Sequence, residues 1–435
     1  MLLFFGAGYI SNNWLMIPEA ELTLVALSPA IFFVAITSVF RGYFNGRENM
    51  KATANSQTLE QLFKTVFTIL IVEVVGIFSG LNTNLMASGA NLATTLATIT
   101  SFLYLFMYYK VRREDLSKEI VSSRSYETKS IVGTIKKILS VSIPMSLSSI
   151  LTSINRNIDS ATVKRGLQTF LSEGEALKQY GILSGKVDTL VSLPLSFNIA
   201  FATALVPAIT LSKAKGDDIT ASKRISFSLL VTMLIGLPCM IGMIIFAEPI
   251  LSLLFPNAPE GTLIFQVSSL SIIFTVLGQT VNGALQGLGK ILIPAIALTI
   301  GVILKCFLNL ALVPIPAIGA AGAAFATVIC HMVAFFIGYS VLKKSIKLNL
   351  SFSKFIFKPI LATIIMGICS YATYITLSGI NIGKVAIIIT ILVAMFIYII
   401  SVLLLNIFDK EEIFMIPYGR KLNKIFIKFN IYKNK

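Results

Sequence analysis

The sequence predicts an all-α polytopic membrane protein, with about eleven complete transmembrane helices arranged in two pseudo-symmetric lobes. Of its 435 residues, 55% are hydrophobic and 13% are charged, and the mean hydropathy is +0.84. Soluble domains contain about 45–50% apolar and 25% charged residues, so the composition excludes a soluble enzyme. Long apolar runs, basic residues in alternate loops and an internal repeat together predict this architecture.

Apolar runs define the predicted helices. A transmembrane helix needs about 20 mostly apolar residues, and runs of this length favour helices over strands. A short apolar N-terminal stub precedes the first complete span, at residues 2–10. The predicted spans are 22–42, 55–79, 85–109, 138–163, 181–211, 226–247, 264–287, 291–313, 319–342, 355–377 and 383–407.

Basic residues mark one side of the membrane. When alternate loops are assigned to one side, that side holds 28 Lys and Arg residues and the opposite side holds four. Cytoplasmic loops carry the excess of Lys and Arg in membrane proteins, so we expect the basic side and the C-terminal tail to be cytoplasmic. The formal net charge of +16 is therefore explained by the basic loops on one side of the membrane, and no nucleic-acid partner is needed to account for it.

An internal repeat relates two parts of the chain. Shifting the sequence by 241 residues, and by 233 residues after a change in loop length, aligns three helices of each half. Both copies leave the membrane on the basic side, so the two lobes have the same orientation and are related by an axis along the membrane normal. The aligned pairs include Phe5 with Phe246, Pro18 with Pro259, Gly42 with Gly283, Gly46 with Gly287, Lys64 with Lys305, Gly89 with Gly322 and Ala93 with Ala326.

The repeat also predicts the parts of the chain. Three spans precede the second copy, whereas only the stub precedes the first. We therefore expect two helices and most of a third, about 100 residues by the repeat geometry, to be missing from the first lobe through a misplaced start, a gene fragment or real degeneration. The predicted parts are a truncated N-terminal lobe at 1–109, a basic cytoplasmic linker at 110–137, a six-helix lobe at 138–342, two accessory helices at 355–407 and a basic tail at 408–435.

One polar segment carries a family resemblance. Residues 38–61, SVFRGYFNGRENMKATANSQTLEQ, resemble the RGYFQG, NM and SQ-EQ pattern of the stage V sporulation protein B family of polysaccharide-biosynthesis membrane proteins. That family is part of the multidrug/oligosaccharidyl-lipid/polysaccharide exporter superfamily. Further matches occur at 178–181, 204–208, 285–290 and 318–324.

The resemblance implies a MATE-like exporter fold, in which relatives typically have two six-helix lobes plus two further helices. It also implies a flippase that moves an undecaprenyl-pyrophosphate-linked oligosaccharide or peptidoglycan precursor across the plasma membrane by alternating access. Two alternatives stay open: a multidrug cation antiporter of the same superfamily, and an inactive truncated remnant or membrane scaffold for cell-wall assembly. A drug antiporter would need a cavity dominated by carboxylates and aromatic rings, which the equal numbers of acids and bases within the spans disfavour.

The sequence contains no motif for hydrolysis or group transfer: it lacks a Walker loop, a dinucleotide-binding turn, HExxH and a nucleophile elbow. We therefore predict a secondary transporter that uses neither ATP nor a cofactor. A gradient of Na⁺ or H⁺, the membrane potential or the supply of substrate would drive it. Its partners would be the lipid-linked saccharide and membrane lipids. The four cysteines lie in apolar runs without CxxC spacing and, like the single His331, are interpreted as packing residues, so no metal site is predicted.

Charged residues within the spans are the candidate site residues, because burying each of them costs at least about 2.5–3.5 kcal/mol. Arg156 and Asp159 are i,i+3 neighbours on one helix face. The arginine could grip a phosphate, and Asp159 could hold the arginine when the site is empty or take part in cation coupling. Alternatively, the pair could lock two helices together. Lys305 and Lys186 complete the predicted substrate-binding set. The alternatives for Lys305 are neutralisation by an acid on a neighbouring helix, or a side chain that snorkels to the membrane surface.

Four further residues are candidates for a gate or for ion coupling. Glu60 and Lys64 form an i,i+4 pair near the cytoplasmic end of their helix, where the alternative is a snorkelling lysine satisfied by its own glutamate. Glu73, near the extracellular end, could bind a coupling cation or a neighbouring helix. Asp188 follows Lys186 at the entrance to a span that Pro194 and Pro207 interrupt.

Overall fold

The computed structural model describes residues 2–14, 18–47, 49–80, 82–122, 130–348, 350–379, 384–409 and 412. Over this part of the chain the secondary structure is helical, without a strand. The predicted all-α fold class is confirmed. Most of the basic tail lies outside the described residues, as does the middle of the predicted linker, at 123–129.

Fifteen α-helices follow one another along the described ranges, and short π-helical or 3₁₀ turns join some of them. The helices are α1 (Leu2–Tyr9), α2 (Glu21–Gly46), α3 (Met50–Ser79), α4 (Thr83–Ser122), α5 (Ile131–Leu167), α6 (Glu173–Gly181), α7 (Asp188–Ala214), α8 (Asp218–Ile245), α9 (Ala247–Leu254), α10 (Thr262–Ser269), α11 (Ser271–Gly287), α12 (Leu292–Leu312), α13 (Ala320–Ser345), α14 (Lys358–Gly379) and α15 (Val385–Leu404).

Nine helical segments in the described ranges are long and apolar enough to cross a membrane. The sequence predicted about eleven. The other two predicted spans, 138–163 and 181–211, fall on α5 and on the helical segment that runs from α6 through a π-helical turn into α7. Several side chains of these two segments lie outside the described set.

The chain divides into two compact units, residues 1–130 and 131–435. The division falls inside the predicted linker at 110–137. The helix α4 continues to Ser122, so the first part of that linker is helical and not a loop. The predicted lobe boundaries themselves stay predictions.

Within the first unit, α4 packs against both α2 and α3, whereas α2 and α3 barely contact each other. A cluster of aromatic rings supports this packing at the ends of α2 and α4. Phe44, for example, is 2% exposed, and its ring lies edge-on to that of Tyr108 with the centroids 5.2 Å apart. The third helix of the repeat is therefore the central one.

The second unit repeats this arrangement, because α13 packs against both α11 and α12 while α11 and α12 barely meet. The helices α2 and α11 end at Gly46 and Gly287, which the repeat aligns. The second unit also contains α5, which packs against α12, and α7 and α8, which pack against α11. The pair α14 and α15 joins this unit through α8.

Close approach between α12 and α13 depends on Gly301. A Cβ added at this residue would lie 2.6 Å from the carbonyl oxygen of Cys330, closer than any real side chain could sit. Small residues at helix crossings in membranes allow backbones to approach in this way. Gly301 thereby brings Lys305, one turn further along α12, against α5 and α13.

Candidate functional site

Asp159 on α5 and Lys305 on α12 form an ion pair inside the second unit. The Lys305 Nζ atom donates to Asp159 Oδ2 at 2.5 Å. It also donates to the Oδ1 atom of Asn155 at 3.2 Å and to that residue's carbonyl oxygen at 3.4 Å. An ammonium has three donors, and three acceptors surround this one.

The pair is buried. Lys305 is 1% exposed, and the Asp159 side chain is 15% exposed. Removing two charges from water is expensive, and their mutual attraction balances this cost only when the geometry is good and the remaining hydrogen-bonding capacity is used. The three acceptors around Lys305 meet that condition, so its ammonium is stable deep within a helix bundle.

Asn309, one turn after Lys305 on α12, holds the second oxygen of the carboxylate. Its Nδ2 atom donates to Asp159 Oδ1 at 3.0 Å and to Thr162 Oγ1 at 2.9 Å. The residue is fully buried, and its Oδ1 atom has no hydrogen-bond partner among the described residues. A buried acceptor without a partner is uncommon and unfavourable. This oxygen therefore still has the capacity to accept a hydrogen bond.

The first unit contains a different polar cluster, centred on Arg41 of α2. Its guanidinium donates to Glu60 of α3 at 2.6 Å, to Ser56 of α3 at 3.0 Å and to Ser101 of α4 at 2.9 Å. Ser56 and Ser101 are fully buried. One side chain thus connects α2, α3 and α4, using the fork of donors that distinguishes arginine from lysine.

The structure brings together some predicted site residues. Asp159 and Lys305 form a pair through the interhelical contact that the sequence offered as the alternative for Lys305. The side chain of Arg156 lies outside the described residues, so its predicted role and its pairing with Asp159 stay predictions. Lys186 bonds instead to the carbonyl oxygen of Ala258 at 2.5 Å and lies 5.2 Å from the ring centroid of Phe255.

Glu60 is paired with Arg41 and not with Lys64. The sequence offered its i,i+4 neighbour as partner, and that expectation is wrong because the guanidinium of another helix takes the carboxylate. Lys64 lies near the middle of α3 with an exposed side chain, and Glu73 is also exposed. Asp188 begins α7 with an exposed side chain. The roles of these four residues in a gate or in ion coupling stay predictions.

Sequence reasoning missed several polar neighbours of these pairs. Asn155 stands four residues before Asp159, and Asn309 four residues after Lys305, so each shares a helix face with a predicted residue. That spacing could have identified both. The partnership of Arg41 with Ser101, 60 residues away, has no comparable signal, because only the packing of α2 on α4 creates it.

Comparison with protein families gives two matches. The family described as "Polysaccharide biosynthesis protein" matches residues 1–213, and the family described as MatE matches residues 184–311. The first match covers the Arg41 cluster and Asp159. The second covers Lys305 and Asn309.

Three relatives come from Bacillus subtilis (strain 168). The chain is 27% identical to stage V sporulation protein B over 333 residues, which are 75% of this chain and 62% of that protein. It is 25% identical to the lipid II flippase MurJ over 343 residues, 77% of this chain and 62% of that protein. It is 29% identical to the uncharacterized membrane protein YabM over 415 residues, 91% of this chain and 74% of that protein.

Solved structures share the fold. An inward closed conformation of the lipid II flippase MurJ matches with a TM-score of 0.59 and 18% identity, over 89% of this chain and 74% of that chain. An inward-facing multidrug resistance transporter of the MATE family matches with a TM-score of 0.56 and 18% identity, over 76% of this chain and 72% of that chain. The predicted MATE-like exporter fold is confirmed.

Proposed function

We propose that the chain is a membrane transporter of the multidrug/oligosaccharidyl-lipid/polysaccharide exporter superfamily and not an enzyme, and that it is a flippase for a lipid-linked saccharide. Its matches to the polysaccharide biosynthesis and MatE families, and its similarity to stage V sporulation protein B and to the lipid II flippase MurJ, support this proposal. The substrate would be an undecaprenyl-pyrophosphate-linked oligosaccharide or peptidoglycan precursor. The chain would move this substrate across the plasma membrane by alternating access, with its C-terminus in the cytoplasm.

One structural observation favours this substrate over a drug cation. Glu60 and Asp159, the carboxylates paired within the two helix bundles, are bound to Arg41 and Lys305 respectively. A carboxylate that already holds a basic side chain does not offer free negative charge to a cationic drug. A basic side chain that can leave its carboxylate offers positive charge to a diphosphate.

We assign the diphosphate to the second unit. Arg156, one turn before Asp159 on α5, would grip the phosphates bidentately, and Lys305 would add a second positive charge when its contact with Asp159 loosens. Lys186 stays a candidate for the same substrate path. Glu60, Lys64, Glu73 and Asp188 are proposed to act in the gate or in ion coupling.

The test uses the full chain in liposomes that contain a fluorescent undecaprenyl-pyrophosphate-linked saccharide. Translocation is followed as the fraction of label that a reductant outside the liposomes can reach. The chain should accelerate this exchange. Arg156→Ala should slow it by about 10–100-fold, as the loss of a charge-assisted contact of about 1.5–3 kcal/mol implies.

Lys178→Ala is the matched control, because this residue pairs with Glu260 on an exposed surface of the same unit. It should leave the translocation rate unchanged. Uptake of a fluorescent drug cation is measured in parallel. Drug uptake without saccharide exchange would support the multidrug antiporter instead, and absence of both would support a membrane protein that does not transport.

A further inference from the structure

A stripe of polar side chains runs along α3 of the first unit. It consists of Gln57, Gln61, Lys64 and Thr68, which are spaced by four, three and four residues. This spacing places all four on one face of the helix. Pairs of packed helices contact each other through residues at this spacing, and most transmembrane bundles pack with the same geometry. We call this face the α3 seam.

The α3 seam is open over the part of the chain that the structure describes. Gln57, Gln61 and Lys64 are exposed, and Thr68 is half-buried. Among the described residues, none of the four side chains has a hydrogen bond or an ion pair. The helix is long and apolar enough to span a membrane, and lipid tails cannot satisfy amide groups. The seam therefore needs a polar partner.

The second unit shows what covers the equivalent face. The repeat aligns the α3 seam with Leu298, Val302, Lys305 and Asn309 of α12. Lys305 and Asn309 both bond to Asp159 of α5, and Val302 is 5% exposed. A transmembrane helix, α5, therefore packs along this face in the second unit.

Two glycines of α2 indicate independently that the first unit accepts a further helix. The repeat aligns Gly42 and Gly46 with Gly283 and Gly287 of α11. A Cβ added at Gly283 would lie 2.7 Å from the carbonyl oxygen of Ala202 on α7, and one added at Gly287 would lie 2.9 Å from a side chain of the same helix. A Cβ added at Gly42 or Gly46 would meet no described atom within 4 Å. The small residues of a close helix crossing are thus present on α2, with no described helix in the crossing.

Charge decides what kind of helix fits the α3 seam. Lys64 contributes an ammonium, and the carboxylate one turn before it, Glu60, is held by Arg41 at 2.6 Å. In the second unit the equivalent lysine is paired with Asp159, which belongs to the helix that covers it. Covering a lysine within a membrane without a partner is costly. A helix that covers Lys64 therefore has to bring a carboxylate of its own.

Neither the described helices nor a second copy of the chain supplies this carboxylate. The helices α5 and α7, which fill the equivalent positions in the second unit, already pack against α12 and α11 there. A two-fold contact through the α3 seam would place the Lys64 side chains of the two copies against each other, and like charges repel. These two exclusions favour a helix of a different polypeptide.

We propose that the α3 seam binds a transmembrane helix of a partner membrane protein, and that this helix places an Asp or Glu side chain against Lys64. Gln57 and Gln61 form hydrogen bonds with polar groups of the same helix, as amide side chains do between membrane helices. The proposal concerns a surface and its partner, and it does not depend on the transport activity proposed above.

Binding of designed transmembrane peptides tests the charge requirement. The full chain carries a donor fluorophore and is reconstituted in liposomes with an acceptor-labelled leucine–alanine helix that has one Asp at its centre. At alkaline pH, where the peptide carboxylate is ionised, energy transfer should show that this peptide binds about 5–30-fold more tightly than the same peptide with Asn. This is the range that a polar contact between model membrane helices provides.

Two variants of the chain complete this experiment. Lys64→Gln should abolish the preference for the Asp peptide. Lys51→Gln is the matched control, because Lys51 is an exposed lysine at the start of the same helix and outside the seam, and it should keep the preference. Equal binding of the Asp and Asn peptides by the unchanged chain, or a preference that survives Lys64→Gln, would overturn the proposal.

A photo-crosslinking amino acid tests for the partner in native membranes. It replaces Gln61 on the seam, and in the control chain it replaces Val66, which is 49% exposed on the other side of α3. Position 61 should form an adduct with a second membrane protein, and position 66 should not. Replacing the acidic residue in the membrane span of that protein with its amide should reduce the adduct at least about 5-fold.

Several outcomes of the crosslinking would contradict the proposal. They are an adduct with a protein that has no acidic residue in a membrane span, an adduct with a second copy of this chain, an adduct within the same polypeptide, and equal adducts at positions 61 and 66. Absence of saccharide exchange in the liposome assay would count against the flippase proposal only, because the peptide preference and the adduct are both measured without transport.

Discussion

In the first unit, α2 supplies a partly buried positive charge through Arg41 and α3 supplies the carboxylate, Glu60. In the second unit, α12, which is the counterpart of α3, supplies the positive charge through Lys305, and the carboxylate comes from α5. The repeat conserves the path of three helices in each unit, but the polar chemistry on those helices has diverged.

Gly301 explains why the second unit cannot copy the first. It stands at the repeat position of Glu60, and a side chain there would collide with the backbone of Cys330. A carboxylate cannot occupy α12 at this point, so the charge that neutralises Lys305 must come from another helix. In the first unit, Lys64 occupies the same repeat position as Lys305, and its side chain is exposed.

The largest expected effect comes from removing the buried ammonium. Lys305→Met leaves Asp159 buried without its cation, which should lower the free energy of unfolding by about 3–5 kcal/mol. The double variant Lys305→Met, Asp159→Leu replaces both charges with apolar groups and should recover most of that loss. Unfolding of the full chain in mixed detergent micelles by a denaturing detergent measures both values.

A double variant as unstable as Lys305→Met alone would mean that packing around the methylenes of Lys305, and not its charge, stabilises this part of the second unit. The two units would then differ in shape more than in electrostatics.

How much of this comparison could be predicted from the sequence depends on the range of each contact. Apolar runs predicted the helices, because their length and composition are local properties. They did not predict that α4 would continue to Ser122 or that α5 would begin at Ile131. The segments beyond the apolar runs are rich in charged residues, and such segments can form either a helix or a loop in water.

The candidate site was predicted residue by residue but not as an arrangement. Asp159 and Lys305 stood out because ionised groups are rare within spans. Their pairing joins residues 146 positions apart, and helical spacing identifies neighbours on one helix only. The same limitation led the sequence to pair Glu60 with Lys64, when the partner is Arg41 on the preceding helix.

A smaller effect is expected from the first-unit cluster. Arg41→Met removes the donor to Glu60, Ser56 and Ser101. It should lower the free energy of unfolding by about 1.5–3 kcal/mol, the range for hydrogen bonds to charged groups. The loss should be smaller than that of Lys305→Met, because Arg41 and Glu60 keep 19% and 20% of their side chains exposed and water can partly replace the contact. The same detergent titration measures it.

Glu60→Gln is the control for charge, since the amide keeps an oxygen for the guanidinium and should cost less than Arg41→Met. If Arg41→Met lowered the free energy of unfolding as much as Lys305→Met, the first unit would depend on its ion pair as strongly as the second. The difference in burial between the two pairs would then not explain their contributions to stability.

The smallest expected effect tests the comparison at a charge that the repeat conserves, the lysine at positions 64 and 305. Lys64→Gln should change the free energy of unfolding by no more than about 0.5 kcal/mol, as for surface substitutions, because Lys64 is exposed and has no hydrogen bond or ion pair within the described residues. Lys305→Gln, at the equivalent repeat position, should destabilise the protein by more than about 3 kcal/mol. If the two substitutions cost the same, Lys64 has a buried partner, and the lysine position would then be a structural element common to both halves of the repeat.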